Sequence, residues 1–350
     1  MAQTVSFDIA PEKEAGKLQF LRRQLFGAAP AVLRLDVNLK GKTAVVTGAN
    51  GGIGLECSRQ LLKLGVSKLI LAVRDEARGE AAREALINVR GLEINQTIEV
   101  WKLDYTSYSS IDTFVQRVNA LQPRLDIAIL NTGANRGHFN ICPATGHEED
   151  LQTNYLSTVL LTLLLLRVFK KAKSTTSLPE FVPGRIVLVS CDNAAWAKFR
   201  EKIQESLLNA FDNETLWERI DRYATTKLMG QLFISELVKH VSPSLAVVNC
   251  ANPGLCYGTA LGRELGLFNS MFVNIFGRVP VTGARSLVHA AVRQDERSHG
   301  QYVEDGELRP MAPFVYFKEA KEVTQRLWEE TMEELSFAGA QDIFQGLVQA

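Results

Sequence analysis

The sequence has no excess of either charge, no cysteine pairing pattern, no long apolar run and no internal repeat. Each absence excludes something. Among its 350 residues, 39 Lys and Arg balance 39 Asp and Glu. Nucleic acid and an anionic membrane both call for a basic face, so neither is expected as a main partner. The five cysteines are Cys57, Cys142, Cys191, Cys250 and Cys256. No two have zinc-ligand spacing, so no metal is expected, and this odd, scattered set reads as reduced intracellular thiols. The longest apolar run, 155–166, falls short of the ~20 residues needed to cross a bilayer and reads as a buried helix. A polar, acidic N-terminus is unlike a secretory signal. The expectation is a soluble cytoplasmic protein. With no low-complexity linker or composition break, and 46% hydrophobic residues to build a core, a single main domain is expected.

What is present starts with Thr47-Gly48-Ala49-Asn50-Gly51-Gly52-Ile53-Gly54, between the apolar run 43–46 and a segment of helical periodicity from Leu55. Strand, glycine-rich turn and helix N-terminus together make a phosphate site. Gly48 can take backbone angles closed to other residues, and Gly52 and Gly54 allow close approach of a pyrophosphate and of the sheet. The free N–H groups and positive dipole end of the helix face the anion. Asn50 and Ile53 belong to the same loop. By itself the pattern could equally be a tight turn before a helix.

Strand-like runs at 43–47, 68–74, 97–103, 127–131, 185–191 and 245–251 alternate with helical stretches such as 75–89, 108–121 and 148–171. This β-α alternation predicts an α/β fold: a Rossmann-type doubly wound parallel sheet flanked by helices, with ligands at the carboxyl ends of the strands. Residues 1–38 are expected to form a helical extension, and 39–350 the nucleotide-binding domain with a C-terminal substrate-binding segment. In the extension, 12–26 is amphipathic, with Leu18, Leu21, Leu25 and Phe26 on one side. It reads as a helix packed on the domain surface rather than as a membrane contact. The stretch 319–338 reads as a final docked helix.

The most reactive-looking constellation is Tyr223-Ala224-Thr225-Thr226-Lys227. Residues four apart share a helix face, and a fixed cation beside a phenol stabilises the phenolate and brings its pKa of about 10 nearer neutrality. An ordinary surface pair would have the same spacing.

The order TGxxxGxG, Asp104, Asn131-Thr132-Gly133, Asn154, YxxxK and Asn252-Pro253-Gly254 resembles the short-chain dehydrogenase/reductase family, over about 38–316. Within it the chain looks most like the retinol-dehydrogenase-type branch. The stretches 149–156 and 222–228 are similar to fungal members that work in secondary metabolism. The resemblance implies roles by position. Tyr223 would be the general acid or base, and Lys227 would lower its pKa and bond the nicotinamide ribose. Asn154 would hold a water relaying protons to Lys227. Asp104 would accept from the adenine amino group, Asn131 and Gly133 would line the adenosine side, and Pro253 and Gly254 would close over the nicotinamide. Asp104 could instead cap the helix starting near Ser107, and Asn154 could be an ordinary helix polar residue.

Cofactor choice turns on Arg74 and Asp75 at the tip of the second strand. Arginine there accommodates the 2′-phosphate of NADP, since its planar fork bonds two oxygens at once. The alternative is a surface pair with Asp75 or Glu76. NADP(H) is the expected cofactor.

Three positions depart from the family pattern. Cys191, not Ser190, aligns with the usual serine that polarises the substrate carbonyl, and a thiol is a weaker donor. Ser190 could substitute only if a bulge turned it into the cleft. Cys191 as a nucleophile has no histidine near it in sequence. Leu130 and Thr132 replace the usual Asn and Ala around Asn131. After Pro253-Gly254 the usual hydroxyl is offset to Thr259, leaving contact with the nicotinamide amide open. Apolar residues of the insert (Trp196, Phe199, Leu207, Leu208, Phe211, Trp217) and of the segment after Gly254 (Leu255, Tyr257, Leu261, Leu265, Phe268, Met271, Phe272, Phe276) suggest a largely apolar substrate pocket, about half of them being core.

The expected function is NADPH-dependent reduction of an apolar ketone or aldehyde, or the reverse alcohol oxidation. The substrate would be a small organic molecule, a polyketide- or terpenoid-like intermediate of secondary metabolism. The alternatives are a family-derived cyclase or isomerase with weakened carbonyl reduction, or a non-catalytic NADPH-binding protein. A homodimer through the apolar helix 154–171 is open, as is a second buried face on that helix.

Overall fold

A computed structural model describes residues 6–88, 95–176, 181–259, 261 and 267–348. The chain opens with α1 (Pro11–Glu14) and α2 (Lys17–Phe26), then alternates β1 (Thr43–Thr47), α3 (Gly52–Lys63), β2 (Lys68–Val73), α4 (Glu76–Ile87), β3 (Thr97–Lys102), α5 (Tyr108–Asn119) and β4 (Ile127–Leu130). A long helix follows, built from α6 (Glu149–Leu151), a π turn (Gln152–Leu156) and α7 (Ser157–Thr175), then β5 (Gly184–Val189). After a 3-10 turn at Asp192–Trp196 come α8 (Leu207–Phe211), α9 (Arg219–Leu237), β6 (Ala246–Asn252), α10 (Leu267–Phe276) and α11 (Pro280–Val292). The last elements are β7 (Tyr302–Glu304), β8 (Glu307–Arg309), α12 (Ala320–Glu334) and α13 (Ala340–Val348).

The strands form one sheet in the order β3-β2-β1-β4-β5-β6-β7-β8, parallel except for the last pair. Central strands are buried on both faces, which is why β1 reads as five consecutive buried residues. Alternate side chains serve opposite cores. Val45, Ile70, Ala128, Ile186 and Val248 face α5, α7, α9 and α12, while Val46, Leu71, Ile129, Val187 and Ala251 face α3, α4 and α11. Strand order reverses between β1 and β4, and the crevice at their carboxyl ends is where such sheets bind ligands.

The six anticipated strands are present within two residues at each end. The short β7 and β8, and the last helix α13, carry too few periodic residues to announce themselves. Val89, the last residue of the expected helix 75–89, lies outside the described residues. Helix α7 is buried along nearly its whole length, and Phe169 is fully covered. The chain's own C-terminal helices do this: Tyr155 shares a 2.8 Å hydrogen bond with Thr331 of α12, and Lys170 donates to Gly346 of α13. The second buried face is therefore the one realised. Among the described residues no helix is long and apolar enough to cross a membrane.

The N-terminal helix α2 docks with its polar side inward. Gln24 is 5% exposed, whereas Leu18, Leu25 and Phe26 are 81%, 53% and 83% exposed. Packing on the domain was expected, but polar partners rather than the apolar stripe decide it. Gln24 donates to the carbonyls of Leu255 and Phe276 and accepts from the Leu255 N–H at 3.0 Å, strapping α2 to the segment after β6.

Candidate active site

The glycine turn has the geometry its composition requires. Gly48 and Gly52 have φ of +65° and +53°. A Cβ on Gly54 would lie 2.5 Å from the Gly48 carbonyl oxygen and 2.7 Å from Asn131 Nδ2. Asn131 is fixed there by donating to the Thr47 carbonyl at 3.0 Å, which ties the ends of β4 and β1 together. Helices α4 and α5 have side-chain caps, Asp75 accepting from the Arg78 N–H and Ser107 from the Ser110 N–H. Helix α3 has Gly51 at that position and no side-chain cap. Its first-turn N–H groups face the crevice at the turn that holds Asn50 and Ile53, the arrangement an anion needs.

Arg74, at the tip of β2, is exposed and has no ion pair among the described residues. Asp75 is taken up by the α4 cap, so the alternative surface pair with Arg74 is not formed. Asp104 turns its carboxylate onto the N–H and hydroxyl of Thr106 at 3.0 and 2.8 Å. Ser107, not Asp104, caps the next helix.

Tyr223 and Lys227 lie on one face of α9, with Lys227 Nζ 5.7 Å from the Tyr223 ring centroid. Both are buried. Lys227 donates to the Val189 carbonyl at 2.9 Å, pinning α9 to the end of β5. Asn154 sits in the π turn, whose extra residue turns it toward the crevice, a deformation common at functional sites. It accepts from the Ala134 N–H (2.8 Å) and donates to the Ala134 carbonyl and Thr226 hydroxyl. A Cβ on Gly133 would meet Asn154 Oδ1 at 3.2 Å and Lys227 Nζ at 3.5 Å, so Gly133 is the floor above both. A cavity of about 20 Å³ touches Asn154, Ser190, Thr226 and Lys227, which is room for one water.

Cys191 lies beside Tyr223, close enough for each to bear on the other's proton affinity. Ser190 points to the other side and accepts from Gln231 Nε2 at 3.0 Å, with no bulge to turn it back. Burial, then Asp192, pushes the Cys191 thiol up to about 11, so it remains a protonated donor rather than a nucleophile. Burial also dominates Tyr223, whose proton is held well above the ordinary phenol range, with Cys191 adding to the effect. Burial pulls Lys227 down. In the protein alone the phenol's pKa therefore stays above its ordinary value despite the neighbouring ammonium. Desolvation outweighs the cation because both groups are buried.

Beyond the cysteine, Pro253 is buried and Gly254 takes φ +73°, its N–H donating to Asn252 Oδ1. Thr259 packs against the glycine turn, 3.5 Å from where a Gly52 Cβ would lie. Of the residues suggested for an apolar pocket, Phe199, Leu207, Leu208 and Phe211 belong to the core, while Trp196 lines a cleft beside Cys191. Leu265 lies outside the described residues, as do the side chains of Phe268 and Phe272.

The cleft is not apolar. Arg23 of α2 reaches Glu14 (2.8 Å), Asp192 (2.9 Å) and Glu304 (3.0 Å), and Asn252 donates to both Asp192 and Glu304. Burial and then Asp192 push the Glu304 carboxyl well above the usual carboxylate range, against the pull of Arg23. This cluster escaped the sequence reading because its members stand at 14, 23, 192 and 304 and share no motif. The only local hint was polar Gln24 and Arg23 interrupting an apolar stripe.

Comparison with known proteins agrees with this geometry. The sequence model of the short chain dehydrogenase family matches residues 42–198. The short-chain dehydrogenase fogG of Aspergillus ruber is 47% identical, the alignment covering 98% of this chain and 99% of the relative. The short chain dehydrogenase/reductase mfmJ of Annulohypoxylon moriforme is 40% identical over 94% of each chain. A solved short-chain type dehydrogenase/reductase from Mycobacterium marinum superposes with a TM-score of 0.60 at 17% identity, over 78% of this chain and 98% of its own, a likeness of fold. The chain belongs to the short-chain dehydrogenase family, oxidoreductases of C=O and CH–OH groups that bind NAD(P).

Proposed function

We propose that this protein is an NADPH-dependent carbonyl reductase of secondary metabolism, acting on a polyketide- or terpenoid-like ketone or aldehyde. The observation that carries the reading is the meeting of Tyr223, Lys227, Asn154 and Cys191 at the carboxyl ends of β4 and β5, beside an uncapped helix N-terminus. The glycine turn fits a dinucleotide: its backbone angles and the uncapped first turn of α3 suit a pyrophosphate, and the missing Cβ of Gly54 lets α3 close on Gly48 and Asn131. When bound, the reduced nicotinamide supplies a hydride for the carbonyl carbon.

The chain's residues do the rest. Tyr223, protonated at neutral pH, donates its proton to the carbonyl oxygen. The Cys191 thiol, beside the phenol, gives the same oxygen a second, weaker donor. Lys227 holds a cation beneath the phenol, and the cavity between it and Asn154 gives a water the position to return a proton to Tyr223. Asn131, Gly133 and Asp104 line the adenosine side, and Pro253, Gly254 and Thr259 cover the other end. Arg74 supports NADP over NAD, since its guanidinium stands at the tip of β2 without an ion pair among the described residues and could hold a 2′-phosphate.

Two variants test this. Tyr223→Phe is expected to lower kcat at least a hundredfold with cofactor affinity kept, and retention of most turnover would refute the role. Arg74→Ala is expected to raise KM for NADPH at least tenfold while leaving NADH little changed; equal effects on the two would remove the NADP assignment.

A further inference from the structure

The cleft beside Cys191 contains a hydroxyl that no described residue satisfies. Its volume is about 30 Å³, and its walls include the Cys191–Asp192 turn, Trp196, Met311 and the N-terminal helix α1. Tyr302 enters from β7. Its ring is 5% exposed and packs in the main core. Its hydroxyl, however, has no hydrogen-bond partner among the described residues and lies near Glu304, Asp192, Cys191 and Arg23. A phenol buried so deeply normally finds a partner. Burial, followed by the charges of Glu304 and Asp192, keeps it protonated, so it is a donor.

Charge and size limit what can fill the space. Glu14, Asp192 and Glu304 share the guanidinium of Arg23, and Arg309 stands 3.6 Å from Glu14, so carboxyl groups outnumber cations and an anionic substituent is disfavoured. The volume suits a group of one or two non-hydrogen atoms. A hydroxyl uses both what Tyr302 donates and what Asp192 and Glu304 accept.

We propose that this cleft is a distal substrate subsite that takes a hydroxyl substituent on the carbonyl compound, with Tyr302 as its specificity-determining residue. The inference rests on the reductase reading above, because Cys191 connects the two places. It lies beside Tyr223 and also lines the cleft. A substrate with its carbonyl at Tyr223 reaches Tyr302 by passing Cys191.

The test compares Tyr302→Phe with the unmodified enzyme, using NADPH with benzaldehyde and with 2-, 3- and 4-hydroxybenzaldehyde. The substitution removes one unpartnered oxygen and keeps the ring, so the fold is retained. The unmodified enzyme is expected to prefer one hydroxylated isomer over benzaldehyde. In Tyr302→Phe that preference in kcat/KM falls roughly 3- to 10-fold, through KM, as expected for one neutral hydrogen bond. A preference that is absent in the unmodified enzyme, or unchanged in the variant, overturns the subsite. No turnover on any of the aldehydes would count against the reductase reading instead. The subsite is then decided by titrating benzyl alcohol and the hydroxybenzyl alcohols against tryptophan fluorescence, with Trp196 in the cleft wall. Tighter binding of a hydroxylated alcohol that Tyr302→Phe abolishes supports the subsite, and equal binding of all four overturns it.

Discussion

Replacing Arg23 with Met should cost the protein about 3 kcal/mol at pH 8 and much less at pH 5. The guanidinium is 10% exposed and lies within 3.0 Å of three carboxylates whose side chains are 8%, 7% and 3% exposed. Methionine fills the space of the aliphatic stem, so little packing is lost. What remains is a set of buried carboxylates without their cation, a change that costs roughly 3–5 kcal/mol when no relief is available. Relief comes from protonation. Glu304 already sits above the usual carboxylate range with Arg23 present, and losing the cation raises the proton affinity of the carboxyl groups it leaves facing one another. A carboxyl whose folded pKa exceeds its unfolded value of about 4.3 stabilises below that value and loses its contribution as pH rises through the folded pKa. The penalty should therefore grow from pH 5 to pH 8. Urea unfolding followed by circular dichroism at both pH values measures it, with Arg23→Lys as the charge-conserving control. An unchanged midpoint at pH 8, or a loss equal at the two pH values, would refute the account of Arg23 as the counter-charge of this cluster.

Three further outcomes are expected. Cys191→Ser should raise kcat for carbonyl reduction about tenfold, because a hydroxyl is the stronger donor to the developing oxyanion; an unchanged kcat would show that the position does not reach the substrate oxygen. His147 lies between Asp212 (2.9 Å) and Glu334 (3.2 Å). Burial opposes its charge, but these partners win and raise its pKa to about 9. Its contribution, up to roughly 3 kcal/mol, should be complete below about pH 6.5 and lost as pH rises through 9, so that melting temperatures of His147→Asn and the unmodified protein converge by pH 10. Gly54→Ala places a Cβ 2.5 Å from the Gly48 carbonyl and should weaken dinucleotide binding by an order of magnitude or more in a fluorescence titration, an effect that a merely permissive glycine would not give.

Much of the site could be read from local pattern because its chemistry is local. Gly48 and Gly52 owe their role to backbone angles, and Gly54 to its approach to the Gly48 carbonyl six residues away. Tyr223 and Lys227 owe theirs to the helical repeat, and Asp75 and Arg74 to the end of a strand. Even the departure at Cys191 was visible, since strand alternation decides which of two neighbouring side chains faces Tyr223. The proton affinity of Tyr223 was not visible. Spacing places a cation nearby, but desolvation depends on what the rest of the chain packs around both groups. The docking of α2 went the same way. Its apolar stripe suggested the inward side, yet the partners of Gln24 are backbone groups at 255 and 276.

From the sequence alone followed the parallel sheet, its switch point, the phosphate turn and the Tyr223/Lys227 pair, because repeats of two and of 3.6 residues and the freedom of glycine act over a few neighbours. Only the tertiary structure decided the surroundings of Cys191. Glu14, Arg23, Asp192, Glu304 and the hydroxyl of Tyr302 come from four separate elements. Their meeting depends on how the N-terminal helices settle on the ends of β5, β6 and β7. Burial and charge act through space rather than along the chain, and for that reason the substrate side of this protein was hidden until it was folded.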